Sequence, residues 1–298
     1  MTATRPGERP ARLAVGAVGA GRVGAALLAA LARAGHRPTA VSAVSAASRR
    51  RAEDLLPGVA IMPPDDVLAL CELVILAVPD DELPGLISGL AAAGRARPGT
   101  LVVHTSGAHG YDVLEPLTRV GCLPLALHPV MTFTGTAVDV ERLAGACFGV
   151  TAPEELRLAG EALVIEMGAE PVWIPEPARP LYHAALAFGA NNLVTVVNVA
   201  ADLLADAGVS EPRRMLGPLL GAALDNALRQ GDAALTGPVA RGDAGTVRAH
   251  LDVLAAPELR AAYVALSRLT ALRALAAGTL PAERAEPLLD VLAERGGA

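Results

Sequence analysis

The chain has 298 residues, 52% of them hydrophobic and 19% charged, which supplies ample core and excludes an intrinsically disordered protein. A net charge of −6 excludes the basic surface that nucleic-acid binding requires. All 25 basic residues are arginine, so no lysine amine is present to act as acid, base or Schiff-base partner.

Residues 1–12 form a polar tail containing proline. The apolar run Leu13 to Val18 reads as a first strand. Gly19-Ala20-Gly21-Arg22-Val23-Gly24 follows it and opens an alanine- and leucine-rich helix to Ala34. Strand, glycine turn and helix in that order are what a dinucleotide crossover needs. Gly19 allows the tight turn, Gly21 leaves room for a pyrophosphate, and Gly24 lets helix and strand pack closely. The free amides of Arg22, Val23 and Gly24, with the helix dipole, would hold phosphate charge. Pro38 to Ser45 reads as the second strand. No acid lies between Gly24 and Glu53 to take a ribose 2′-hydroxyl, whereas Ser45, Ser48 and Arg49 suit a 2′-phosphate. The expected cofactor is therefore NADP. Arg51 is expected in a solvated helical turn.

A short strand at Val59 to Met62 and a helix from Pro64 come next. Leu73 to Val78 is apolar throughout, as a strand buried on both faces should be, and ends in Val78-Pro79-Asp80. A helix at Leu83 to Ala93 precedes the strand Thr100 to His104, which ends in His104-Thr105-Ser106-Gly107. After helical residues Tyr111 to Val120, the strand Cys122 to Leu127 ends in His128-Pro129. A last unit comprises Ala146 to Val150, Glu154 to Met167 and Pro171 to Ile174. This alternation predicts an α/β fold: an N-terminal, doubly wound, mostly parallel Rossmann sheet (13–175) followed by an all-helical domain (180–298). Ligands of such sheets sit beyond the carboxyl ends of the strands, where Val78, Pro79, Asp80, Ser106 and His128 fall.

The proline-rich segment Pro175 to Pro180 is the expected hinge. Tyr182 to Ala207 is expected as one helix, in which Asn191, Asn192, Asn198 and Asp202 argue against a membrane span. Further helices follow from Pro212, Ala244, Glu258 and Ala282, and Thr236 to Asp243 reads as a polar loop. Cys71, Cys122 and Cys147 lie far apart in apolar segments and read as reduced thiols of a cytoplasmic protein, and no spacing suggests a metal site.

Several of these motifs together resemble those of the bacterial family that joins a Rossmann-like domain to the helical "domain of unknown function 2520", within the 6-phosphogluconate-dehydrogenase-like oxidoreductases. They are Val78-Pro79-Asp80, His104 to Gly107, His128-Pro129 with Thr132-Phe133, His183 with Asn192, and Thr236-Gly237-Pro238 with Arg241-Gly242-Asp243. The resemblance implies an NADP-dependent reductase of a small keto or imino acid. Some members resemble an alternative ketopantoate reductase of pantothenate synthesis. It also implies a homodimer formed through the helical domain. Related hydroxyacid dehydrogenases carry a lysine where this chain has Phe188, so the proton donor must differ. The candidates are His128, by likeness to prephenate dehydrogenases, and His183, with Ser106 and Asn192 orienting the substrate. Two other readings stand beside this one: a non-catalytic NADP-sensing regulator, and an oxidase of hydroxyacids in the prephenate-dehydrogenase style.

Overall fold

A computed structural model describes residues 12–294, so the expected tail lies outside it except for Arg12. Eight strands form one sheet in the order β3-β2-β1-β4-β5-β6-β7-β8. They are β1 Ala14–Val18, β2 Arg37–Ser42, β3 Ala60–Ile61, β4 Leu73–Leu76, β5 Leu101–His104, β6 Leu123–Pro129, β7 Cys147–Thr151 and β8 Glu170–Trp173. Every neighbouring pair is parallel except β6 with β7. All four residues of β4 are buried, as a strand covered on both faces requires.

The helices of this region are α1 Arg22–Arg33, α2 Ala46–Leu55, α3 Pro64–Leu70, α4 Leu83–Ala92, α5 Glu115–Thr118, α6 Ala137–Arg142 and α7 Arg157–Glu166. Two apolar clusters cover the two faces of the sheet. One holds Leu27, Leu28 and Leu31 of α1 with Leu163 and Val164 of α7, and the other holds Val67, Leu68, Ile87 and Leu117. The doubly wound arrangement expected from the sequence is thus present. In α1, Gly24 to Leu31 are buried without a break, because alanines let the helix lie close to the sheet.

Two elements differ from expectation in ways that matter for the site. β6 runs on to Pro129, because antiparallel β7 pairs His128 with Gly149 and Pro129 with Phe148. His128 is therefore a sheet residue and not the start of a loop. The expected single helix is α8 Arg179–Leu186, a π-helical turn Ala187–Asn191, and α9 Asn192–Asp206. Small residues at Ala187, Gly189 and Ala190 leave room for the wider turn, and such turns are common at functional sites.

The chain divides into two compact units, 1–194 and 195–298. The first extends past the proline-rich segment, which is fastened rather than loose. The Glu176 carboxylate accepts from the amides of Tyr111 and Asp112 at 2.9 and 3.1 Å, and Arg179 is buried in the sheet edge. The second unit holds the rest of α9 and α10 Pro212–Gln230, α11 Gly237–Ala240, α12 Ala244–Val253, α13 Pro257–Ala276 and α14 Ala282–Glu294. Val247, Leu251, Val264, Ala271, Leu288 and Val291 form its core. Asp243, expected in a polar loop, caps α12 through the Thr246 amide at 3.0 Å.

Candidate active site

A groove of about 660 Å³ runs along the carboxyl ends of β1, β2 and β4. Gly19, Gly21, Ser45, Ser48, Val78 and Pro79 line it. Gly19 has φ +99°, and a Cβ there would strike the Ala77 carbonyl oxygen. A Cβ on Gly24 would strike the Gly19 carbonyl, so this glycine sets how closely α1 packs on the turn. Above Gly21 the space is open, with the nearest atom to an added Cβ 4.0 Å away. No side chain caps the start of α1 and its first turn carries no acid. The amides of Arg22, Val23 and Gly24 are thus free to receive an anion.

Ser45 caps α2, its hydroxyl oxygen accepting from the Ser48 amide at 3.0 Å. Arg49 is exposed beside it, with Nε donating to the Val44 carbonyl at 3.4 Å. Arg51 departs from expectation. It reaches back to donate to the Ala20 carbonyl at 3.0 Å and braces the glycine turn, because α2 lies against α1. An open amide cradle, two hydroxyls and an exposed guanidinium fit a dinucleotide.

A second cavity of about 200 Å³ is lined by His128, Thr132, His183 and Asn191, with Met131, Leu186 and Ala187 as apolar wall. His128 Nδ1 lies 2.8 Å from the Tyr182 hydroxyl. The hydroxyl donates to Nδ1 in the Nε2–H tautomer of His128 and accepts from it in the Nδ1–H tautomer. Glycines make the cluster possible. A Cβ on Gly107 would lie 2.7 Å from His183 Cδ2 and 3.0 Å from His128 Nε2, and one on Gly149 would strike Tyr182. The two imidazoles meet edge to face, with centroids 6.0 Å apart. Burial pushes the His128 pKa down to about 4, with help from Arg179 and His183 and against Asp80.

Arg179 is fully buried, with the Glu176 carboxylate acting on it at a distance. Its guanidinium donates to Thr151 Oγ1 at 2.7 Å and to the carbonyls of Ser106, Ala126 and Gly149 at 3.3, 2.9 and 2.9 Å. It thus joins the ends of β5, β6 and β7 and places positive charge behind the histidines.

His104 is buried, with Nε2 donating to the Gly110 carbonyl at 2.8 Å and Nδ1 accepting from the Ser106 amide at 3.2 Å. Both ring nitrogens are used, which makes it a structural residue. The Ser106 hydroxyl accepts from the amides of Ala108 and His109, so it shapes the turn behind the cavity. Asn191 and Asn192 are both exposed; Asn191, in the π turn, lines the cavity and Asn192 does not. Among the described residues no cluster of His, Cys, Asp and Glu could hold a metal ion. Sequence reasoning brought His128 and His183 together but missed Tyr182, Arg179 and Gly107. The Tyr182–His183 adjacency was the one available signal, since a helix start can offer neighbouring side chains to one strand end.

The sheet order, glycine cradle and helical second unit define a Rossmann-like protein. The Rossmann-like domain family matches residues 1–129 and the family "Domain of unknown function (DUF2520)" matches 146–270; the chain belongs with the proteins that join these two domains. Its fold is similar to that of a Bacteroides fragilis protein provisionally described as an NADP oxidoreductase (23% identity, TM-score 0.74, 87% of this chain and 98% of that one). A Thermotoga maritima protein is also similar (20% identity, TM-score 0.65, 88% and 98%). So is the Plasmodium falciparum pyrroline carboxylate reductase with NADP bound (10% identity, TM-score 0.54, 95% and 97%). At these identities the likeness is one of fold. Comparison with curated protein sequences gives no match.

Proposed function

We propose that the protein is an NADP-dependent oxidoreductase that reduces a small keto or imino acid. The observation that carries this reading is that one compact unit holds both an anion-ready dinucleotide groove and a small cavity with two histidines at the same sheet edge. The amides of Arg22, Val23 and Gly24 would hold the pyrophosphate, and Ser45, Ser48 and Arg49 the 2′-phosphate, with Val78 and Pro79 lining the groove and Asp80 following them in the chain. Reduced NADP, when bound, supplies the hydride. His128 Nε2–H donates to the substrate oxygen or nitrogen where charge develops, and neutral imidazole suits that task. His183, Asn191 and Thr132 line the remaining wall and fix the substrate's orientation. Ser106 acts behind them, through the turn it stabilises.

Ketopantoate heads the substrates to be assayed, on the resemblance of the motifs. NADPH consumption with a panel of 2-keto acids and cyclic imines tests the reading. Turnover of at least one, with NADPH preferred to NADH, is expected. Tight NADPH binding with no consumption under any substrate would favour a sensing protein instead. We place the protein in the cytoplasm as a homodimer, on its reduced cysteines and the apolar side chains left exposed on its helices.

A further inference from the structure

A reductase must replace the proton it gives to its product, and this chain has no lysine to supply one. His128 is neutral near pH 7, so its Nε2 proton can leave only if Nδ1 gains one in the same event. The group in contact with Nδ1 is the Tyr182 hydroxyl, at 2.8 Å and with the rings edge to face.

We propose that Tyr182 is the proton source of the site: its O–H bond breaks toward His128 Nδ1 as the His128 Nε2–H bond breaks toward the substrate oxygen or nitrogen. The inference rests on the reductase reading above. The balance closes. The substrate carbon gains a hydride from NADPH and its heteroatom gains one proton. His128 ends neutral with its proton on Nδ1. The electron pair of the broken O–H bond stays on Tyr182 as phenolate. Once product leaves, the Nδ1 proton returns to the phenolate as Nε2 takes one proton from water, which restores both groups.

One cation stands beside a transient phenolate: the Arg179 guanidinium carbon lies 5.6 Å from the Tyr182 ring centroid. Arg179 is bound to three carbonyls and a hydroxyl, and the Glu176 carboxylate acts on it only at longer range. The other charged or titratable groups facing the pair are His183 and Asp80 toward His128, and Cys147 toward Tyr182. Burial raises the Tyr182 pKa more than Arg179 and Gly149 lower it, so the proton is held firmly until an alkoxide, a far stronger base, appears.

Two measurements test this. In the protein without cofactor, ¹⁵N NMR of His128 should show the Nε2–H tautomer, and Tyr182→Phe should let the Nδ1–H tautomer appear. With NADPH and substrate, Tyr182→Phe should lower kcat on the order of 10²-fold with KM changed less than about threefold. NADPH affinity and melting temperature should hold. Combining it with His128→Asn should add little, because the two act as one unit. The wild-type solvent proton inventory should be bowed, with two protons in flight, and that of Tyr182→Phe linear. An Nδ1–H tautomer in the wild type would overturn the proposal. So would full kcat in Tyr182→Phe alongside loss of activity in His183→Gln, which would make His183 the acid. Correct tautomers with no turnover of any substrate would overturn the reductase reading and leave the hydrogen-bonded pair standing.

Discussion

Two histidines of the first unit are held neutral by burial, and the fold should register it. The pKa of His104, like that of His128, is pushed from 6.5 down to about 4. Between those values the unfolded chain binds more protons than the native one, so stability rises with pH across the window and is lost as pH falls toward 4. For fully buried His104 the limit is on the order of 3 kcal/mol. Urea midpoints should drop steeply from pH 6.5 to 4.5, and a flat profile would mean that His104 titrates normally. On the groove side, Arg49→Glu should weaken NADPH binding by roughly 10- to 100-fold, as expected for a lost charge-assisted contact, and change NADH binding little. Calorimetry with both cofactors checks this. At this scale the sequence revealed the glycine turn and the strand-end histidines because their roles follow from position. Arg179 and Tyr182 were hidden in a segment whose prolines suggested a hinge. A guanidinium satisfied by carbonyls leaves no acidic partner in the sequence to betray it.

The two asparagines differ in where the helix places them. Nine residues on from His183, Asn192 falls on the opposite face of an unbroken α-helix, and Asn191 falls nearer the His183 side. The π turn ends on Asn191, which lines the cavity, and Asn192 does not line it. Asn191→Ala should therefore raise KM about tenfold or more, while Asn192→Ala should stay within about twofold; steady-state kinetics of the two variants decides it. The reverse ranking would show that Asn192 turns inward when substrate binds. The buried strands were legible from their apolar runs, β4 most clearly. Two features were not. The extension of β6 through Pro129 depends on β7, which is distant in sequence until the sheet forms. The π turn is composed of small helix-compatible residues whose local preferences do not distinguish it from α-helix.

For the molecule as a whole, alternating strands and helices announced the doubly wound sheet, and the loss of strand patterns after Trp173 announced the helical remainder. The end of the first compact unit was less legible, because the anchors at Glu176 and Arg179 are tertiary contacts. The stretch Glu176–Asp206 has the length and composition of a membrane-crossing helix, yet carries Asn191 and Asn192 within it. Leu219 and Leu228 on α10 are 66% and 80% exposed, and apolar side chains grouped in this way mark interaction surfaces. A second copy covering them predicts a dimer by light scattering, and Leu219→Asp with Leu228→Asp should shift it to monomer. A monomeric wild type would remove that proposal. In the proposed complex a dinucleotide held at the glycine turn presents its reactive end to His128 and His183. An NADPH titration followed on the imidazole signals of those two histidines tests this most directly. Saturable shifts of both, at the same midpoint as the backbone amides of Arg22 and Val23, are predicted. Binding that moves those amides but leaves both histidines unchanged would contradict that placement.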